Sequence, residues 1–262
     1  VKRFLSLGAG VQSSTLALMI AHGEIEPVEA AIFANTGWEP RKVYEWLDWL
    51  EKQLPFPVYR VQHGNLRQDI LNKQQGIRVA AVPWHIIMPS GDRAMGRRQC
   101  TMEYKIQPLT RKTRELLDLK PGQRAKGVLC EMLIGISTDE ALRMKPAKEA
   151  WKRHRWPLIE KSMSRSDCLA WMERKGYPLP PKSSCIGCPF HSDHEWRAIK
   201  ADTEAWADAL EVDAAIRQQP GMRGQQFMHR SCVPLDQVDL STAADHGQVD
   251  MFNNECEGMC GV

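Results

Sequence analysis

The stretch Leu5–Met19, reading LSLGAGVQSSTLALM, constrains the fold more than any other part of the chain. Phe4 to Leu7 forms a short apolar strand, Gly8-Ala9-Gly10 a tight loop, and the run from Ser14 to about His22 a largely apolar helix. A strand that feeds directly into a helix turns sharply, and the two glycines accept backbone angles that other residues resist. Ser13 and Ser14 place hydroxyls where the helix begins, beside backbone N–H groups and the positive end of the helix dipole. Such a place seats an anion, most naturally phosphate or sulfate. No Lys-Ser or Lys-Thr pair follows the glycines, so the loop is not of the Walker type, and the glycine spacing is not that of a dinucleotide fingerprint. Taken alone, the loop fits a plain strand-to-helix turn equally well.

Val28 to Ala34 reads as a second strand that runs into Asn35-Thr36-Gly37-Trp38-Glu39-Pro40, with Pro40 at a helix start. Val43, Trp46, Leu47 and Leu50 carry the 3.6-residue period of the helix that follows. Val58 to Val61 is a third strand, and Leu66 to Leu71 another helix. Strands alternating with helices in this way predict a parallel sheet covered on both faces. In such sheets ligands sit beyond the carboxyl ends of the strands. Residues 76–99 interrupt the rhythm with Pro83, Pro89, Gly91 and Gly96, and close on Arg93, Arg97 and Arg98. Their composition fits a lid carrying arginines to an anionic substrate and a solvated basic loop equally well. After a helix ending near Leu117, Val128 to Ile136 is the most apolar stretch and predicts a central strand. It ends in the polar cluster Gly135 to Arg143. A boundary is placed near residue 150. Residues 1–150 form the ligand-binding domain, and 151–262 form a helical cap that is not an independent unit. In the cap, Ser164 and Asp167 open a helix that Gly176 and Pro178 end.

The chain has 262 residues, with 35 basic and 32 acidic ones, so bulk charge does not call for nucleic acid. No run of 18 apolar residues and no secretory leader is present, which predicts a cytoplasmic protein with no membrane attachment. In that setting eight cysteines point to metal or thiol chemistry rather than disulfides. Cys130 and Cys168 fall in predicted core elements and read as inert buried thiols. Cys185-x-x-Cys188 holds two sulfurs close enough for one metal centre, and Gly187 lets the turn close. Four thiolates suit zinc or a 4Fe–4S cluster, and the remaining ligands must come from Cys100, Cys232, Cys256 or Cys260.

Together these pieces resemble the phosphoadenosine phosphosulfate (PAPS) reductase family, within the adenine-nucleotide alpha-hydrolase (PP-loop) superfamily. Gly8-Ala9-Gly10-Val11-Gln12-Ser13 is similar to the superfamily loop Ser-Gly-Gly-x-Asp-Ser, with Gln12 where that loop carries Asp. Phe33-Ala34-Asn35-Thr36-Gly37 is similar to an Asp-Thr-Gly turn. Arg98-Gln99-Cys100-Thr101, continuing to Lys105 and Pro108-Leu109, resembles an Arg-x-Cys-Cys…Lys…Pro-Leu segment, with Thr101 at the second Cys. Gly135-Ile136, Glu140 and Arg143 resemble a Gly-Ile-Arg…Glu-Ser…Arg element, with Ser137 where Arg is usual. Cys185-x-x-Cys188 matches the second half of the cluster motif, and Glu255-Cys256-Glu257-Gly258 is similar to a Glu-Cys-Gly tail with Glu257 inserted.

The resemblance implies a Rossmann-like (HUP-type) α/β fold, a parallel sheet with helices on both faces and a helical, cysteine-bearing cap. It puts the adenine of a bound nucleotide near Asn35, Thr36 and Gly37. The phosphates or sulfate would meet Ser6, Gly10, Val11, Gln12, Ser13, Ser14, Lys105 and Arg143, and Gly8, Gly135, Ile136 and Glu140 complete the nucleotide-binding set. Lys105, Arg143 and Cys256 become the catalytic set, and Cys100, Cys185, Cys188 and Cys260 the ligands of a 4Fe–4S cluster, with zinc as the alternative. The implied activity is reduction of an adenylyl sulfate by thiol attack, with a thioredoxin-like reductant as partner. One alternative is an iron–sulfur-dependent ATP pyrophosphatase of the same superfamily that inserts sulfur into a nucleic acid. Another is a catalytically silent nucleotide-binding protein with structural zinc. The two tail cysteines separate these roles. Cys256→Ser is expected to keep the metal and lose turnover, whereas Cys260→Ser loses metal and stability together. Bleaching of Cys256→Ser in an absorbance and metal assay would exchange the two assignments.

Overall fold

A computed structural model of the chain describes residues 1–72, 78, 80–120, 122–219 and 221–241. These divide into two units. One comprises Val1–His63 with Thr101–Ser183, the other Gly64–Cys100 with the described residues from Ser184 onward.

The first unit is built on a five-stranded, all-parallel sheet in the order β3-β2-β1-β6-β7. The strands are β1 (Lys2–Leu7), β2 (Ala30–Asn35), β3 (Val58–Gln62), β6 (Cys130–Ile134) and β7 (Lys152–Arg155). This is the α/β, Rossmann-like sheet predicted above. The side-chain alternation of β1 divides the core. Leu5 and Leu7 face α1 (Val11–Ala21), α2 (Arg41–Glu51), α5 (Pro157–Glu160) and α6 (Arg165–Arg174), while Phe4 faces α4 (Gln107–Leu116) and Trp151. β2 reads Ala-Ala-Ile-Phe-Ala-Asn and is buried along nearly its whole length, as a parallel strand covered on both faces must be. In α1 every residue from Val11 to Ile20 except Gln12 is buried, because α1 lies between the sheet and α6. The Ser164–Asp167 capping box opens α6 as expected, and Gly176 closes it at φ +71°.

A π-helical turn, Thr101–Ile106, leads into α4. Pro108 lies in the first turn of α4 and has no N–H to return to the carbonyl of Tyr104, which favours the wider turn at this junction.

The second unit differs from the helical cap expected after residue 150. It contains α3 (Leu66–Asn72), α7 (Asp193–Lys200) and α8 (Thr203–Ile216). It also holds an antiparallel sheet in the order β5-β4-β8, made of β4 (His85–Ile87), β5 (Arg93–Met95) and β8 (Gln225–Phe227). The basic segment 76–99 supplies two of those strands. A boundary at 150 would also cut the main sheet, since β7 pairs with β6 from Cys130↔Lys152 to Leu133↔Arg155. Among the described residues no helix is long and apolar enough to cross a membrane.

The register of the main sheet sets Arg3, Glu131 and Arg153 side by side on β1, β6 and β7. Glu131 is only 6% exposed and accepts from Arg153 and, at 3.1 Å, from Arg3 Nε. The Arg153 hydrogen bond, followed by that of Arg3, holds its carboxyl below the usual glutamate range against the opposing effect of burial. A depressed carboxylate stabilises the fold above the unfolded pKa, about 4.5, and loses that contribution as pH falls through the folded value. Glu131→Gln is therefore expected to cost about 1.5–3 kcal/mol at neutral pH, towards the lower end because both arginines are partly exposed. It should also flatten the acid limb of stability below about pH 4.5. Urea titrations at pH 7 and pH 3.5 check both, and parallel pH profiles for the two proteins would refute the assignment.

Candidate functional site

The strand order of the first unit reverses at β1. The chain runs outward from β1 to β2 and β3, then returns on the other side as β6. In open α/β sheets the carboxyl ends at such a reversal form the ligand crevice. The loops that follow β1, β2 and β6 are the three polar clusters singled out in the sequence.

After β1, Gly8 is exposed, Gly10 partly exposed and Ala9 wholly buried. Ala9 takes φ +59°, a left-handed conformation that costs a residue with a side chain about 1–2 kcal/mol. Its methyl lies in the main core cluster, which offsets that cost. Ser13 Oγ accepts from Gly8 N at 3.1 Å and donates to Gly10 O at 3.3 Å, so this hydroxyl closes the loop on itself. Ser14 is fully buried and accepts from Trp46 Nε1 at 2.9 Å. Its hydroxyl thus ties α1 to α2. No side chain caps α1, and its first turn carries no acidic residue. What the loop offers an anion is main chain and helix dipole rather than hydroxyls.

The loop after β6 approaches this turn closely. A Cβ on Gly135 would lie 2.8 Å from both Ser13 N and Ser13 Cα, and 3.0 Å from Gln12 C. Only glycine lets the two main chains meet there. Ile136 and Ser137 are buried behind it. Gln12 Nε2 donates to Ser137 Oγ and to Glu140 Oε2, each at 3.3 Å, and Glu140 also accepts from Arg143. Gln12, Ser137, Glu140 and Arg143 thus form one hydrogen-bonded row across the β1–β6 reversal. Ser6, one register step before the loop, pairs with Ile134.

After β2, Asn35 Oδ1 accepts from Gly37 N and from Tyr44 Oη, both at 2.8 Å, and Gly37 adopts φ +75°. Thr36 Oγ1 donates to Glu39, whose carboxylate lies 3.4 Å from Lys105 Nζ on the π-helical turn. Lys105, expected at the ligand, therefore has a buried acid beside it. Glu39 was not picked out in the sequence; the only available signal was a carboxylate at a strand end directly before a helix-starting proline.

In the second unit, Cys185 O accepts from Cys188 N at 3.1 Å, the hydrogen bond of a tight turn. His191 Nε2 donates to Cys185 O at 2.9 Å and to Ile186 O at 3.1 Å, and His191 N donates to Cys188 O at 3.2 Å. His191, which lies three residues beyond the Cys-x-x-Cys pair, is what shapes its turn. Cys100, Cys185 and Cys188 are each partly exposed. Cys130 and Cys168 are fully buried, and burial pushes their thiols up to about 11 and about 12, which fits inert core roles. Among the described residues no group of three or more His, Cys, Asp or Glu is arranged to hold a metal ion. Cys256 and Cys260 lie outside the described residues.

No family model matches the sequence, and no curated protein matches it. Solved structures do. The chain is similar in fold to a phosphoadenylyl-sulfate (PAPS) reductase. That protein, from Candida auris, was solved as a phosphate complex. It shares 15% sequence identity, and the likeness covers 69% of this chain and 75% of that one at a TM-score of 0.45.

The contact at Gly135 yields a direct test. Gly135→Ala pushes a methyl into the first turn of α1 and is expected to destabilise the protein by about 1–3 kcal/mol, the usual cost of overpacking. The row from Gln12 to Arg143 should be disturbed at the same time. A melting temperature equal to that of the parent would show that the two loops do not abut in solution.

Proposed function

We propose that the first unit binds an adenine nucleotide carrying a sulfate or phosphate, and that the protein acts on it as a PAPS reductase-like enzyme of sulfur metabolism. One observation carries the binding reading: the loop after β6 presses Gly135 against the uncapped start of α1 at the point where the strand order reverses. That arrangement supports an anion seat lined by backbone N–H groups. The adenine is assigned to the Asn35-Thr36-Gly37 turn, whose main chain is fixed by Asn35 and Tyr44. The anionic group lies over Gly8 to Ser13, with Arg143 and Lys105 as the cations that approach it. Both cations are held by carboxylates, Glu140 and Glu39, which orients them before ligand arrives.

For the chemistry, Cys256 is assigned as the nucleophile. Its thiolate attacks the sulfur of the adenylyl sulfate, an S–S bond forms, and the S–O bond to the nucleotide phosphate breaks. The nucleotide leaves with the electron pair of that bond, and its phosphate is the group that Lys105 and Arg143 stabilise. A thioredoxin-like dithiol then displaces sulfite from the cysteine thiosulfonate and is itself oxidised to a disulfide. Cys185 and Cys188, in the turn set by His191, are assigned with Cys100 and Cys260 to a 4Fe–4S cluster, or to zinc. Such a group, when bound, would cross-link its four thiolates.

Isothermal calorimetry tests the site. The parent is expected to bind an adenylyl sulfate or its nucleotide product, and Gly10→Val with Ser13→Ala to abolish binding. Arg143→Ala should weaken it about ten- to a hundred-fold, as expected for one charge-assisted contact. Unchanged affinity in the loop variant would remove the loop from the site. Release of AMP and pyrophosphate from ATP, with no sulfite from the sulfonucleotide, would replace reduction by adenylation.

A further inference from the structure

The second unit holds a cluster that the nucleotide site does not use. His229 is 3% exposed. Its Nδ1 lies 2.7 Å from Ser231 Oγ, and its Nε2 lies 2.9 Å from Asp193 Oδ1. The tautomer follows from a third contact: the backbone N–H of Ser231 donates to Nδ1 at 3.1 Å. A backbone N–H can only donate, so Nδ1 carries the lone pair and Nε2 the hydrogen that it gives to Asp193. The hydroxyl of Ser231 must then point its own hydrogen at Nδ1, where it is the closer of the two donors. Asp193, the first residue of α7, accepts on its other oxygen from Arg230 Nη2 at 2.6 Å.

From these contacts we propose that Ser231 is an activated nucleophile, with His229 as its general base and Asp193 as the residue that positions the imidazole. The ordering hydroxyl–imidazole–carboxylate at hydrogen-bonding distances is what nucleophilic catalysis requires, whichever ring nitrogen faces which partner. Ser231 is partly exposed while its base is shielded from water. The turn that presents it is tightly constrained. Cys232 follows at φ +59°, a conformation that side chains rarely adopt, and Cys232 N donates to His229 O at 3.0 Å. Arg93, itself exposed, donates to the carbonyls of Arg230 and Ser231 at 3.5 and 3.4 Å, which braces the main chain of the turn that carries the serine.

The substrate class is an activated carboxylic ester. Ser231 Oγ bonds to the acyl carbon as its proton passes to His229 Nδ1. The ester C–O bond breaks, and the alcohol leaves with that proton. Water, deprotonated by the same nitrogen, then cleaves the acyl-serine and releases the acid. Every residue it uses belongs to the second unit.

The test uses the full-length protein and a fluorophosphonate reagent, which transfers its phosphonyl group to an activated serine with loss of fluoride. Intact mass and peptide mapping are expected to show one adduct on Ser231, absent in Ser231→Ala. His229→Gln should slow labelling by at least about 100-fold, the lower end of what a general base contributes. Should that variant melt below the parent, Asp193→Asn decides: labelling falls, and Asp193→Glu restores part of it. The parent should also give a burst of 4-nitrophenolate from 4-nitrophenyl acetate. No adduct on Ser231, or a labelling rate that is the same in the parent and in a folded His229 or Asp193 variant, overturns the proposal.

Discussion

The contact between Gly135 and the first turn of α1 is the constraint on which the rest of the first unit depends. It fixes how deeply β6 runs alongside β1, because the register from Lys2↔Cys130 to Ser6↔Ile134 ends one residue before it. It also fixes where Gln12 can reach, and so which residues of the β6 loop join its row. A side chain at 135 would lift one loop off the other and open the crevice. The crevice at the strand reversal is therefore a product of two backbones brought together, and the hydroxyls of Ser13 and Ser14 are absorbed in internal hydrogen bonds.

The elements that sequence alone made legible are those whose signal is local. Apolar runs marked β1, β2, β3 and β6, and the spacing of Val43, Trp46, Leu47 and Leu50 marked α2. The Ser164–Asp167 box marked the start of α6. What escaped was decided at long range. β7 reads Lys-Arg-His-Arg and carries no apolar pattern; it is a strand because Arg153 and Arg155 find Glu131 on β6. β4, β5 and β8 are three residues each, too short for any periodicity; β4 and β5 form a short local hairpin, and β4 also pairs with β8, more than a hundred residues further along. The division into units was hidden because each is assembled from two separate stretches of chain.

At the candidate site the loops were readable and the division of labour within them was not. Ser13 and Ser14 look alike in sequence, yet one closes the loop and the other is spent on Trp46, a residue of another helix. Lys105 and Arg143 were visible as cations, whereas Glu39 and Glu140, which hold them, gained meaning only from three-dimensional proximity. The thiols sort by burial. Cys130 and Cys168 lie in the core, while Cys185 and Cys188 sit in a turn whose carbonyls His191 gathers.

The central position of β1 has a consequence for how the chain comes into being. Its partner β6 lies 128 residues further along, with a large part of the second unit encoded in between. At ribosomal speeds of about 5–20 residues per second, β1 emerges roughly 6–25 s before the strand that covers its other edge. During that interval α1, β2 and β3 can dock on one side only, and a buried apolar strand waits with one row of N–H and C=O groups open. The topology thus leaves one edge of β1 without its strand partner until residue 134 has been made, and an open apolar edge of that kind is prone to edge-to-edge association.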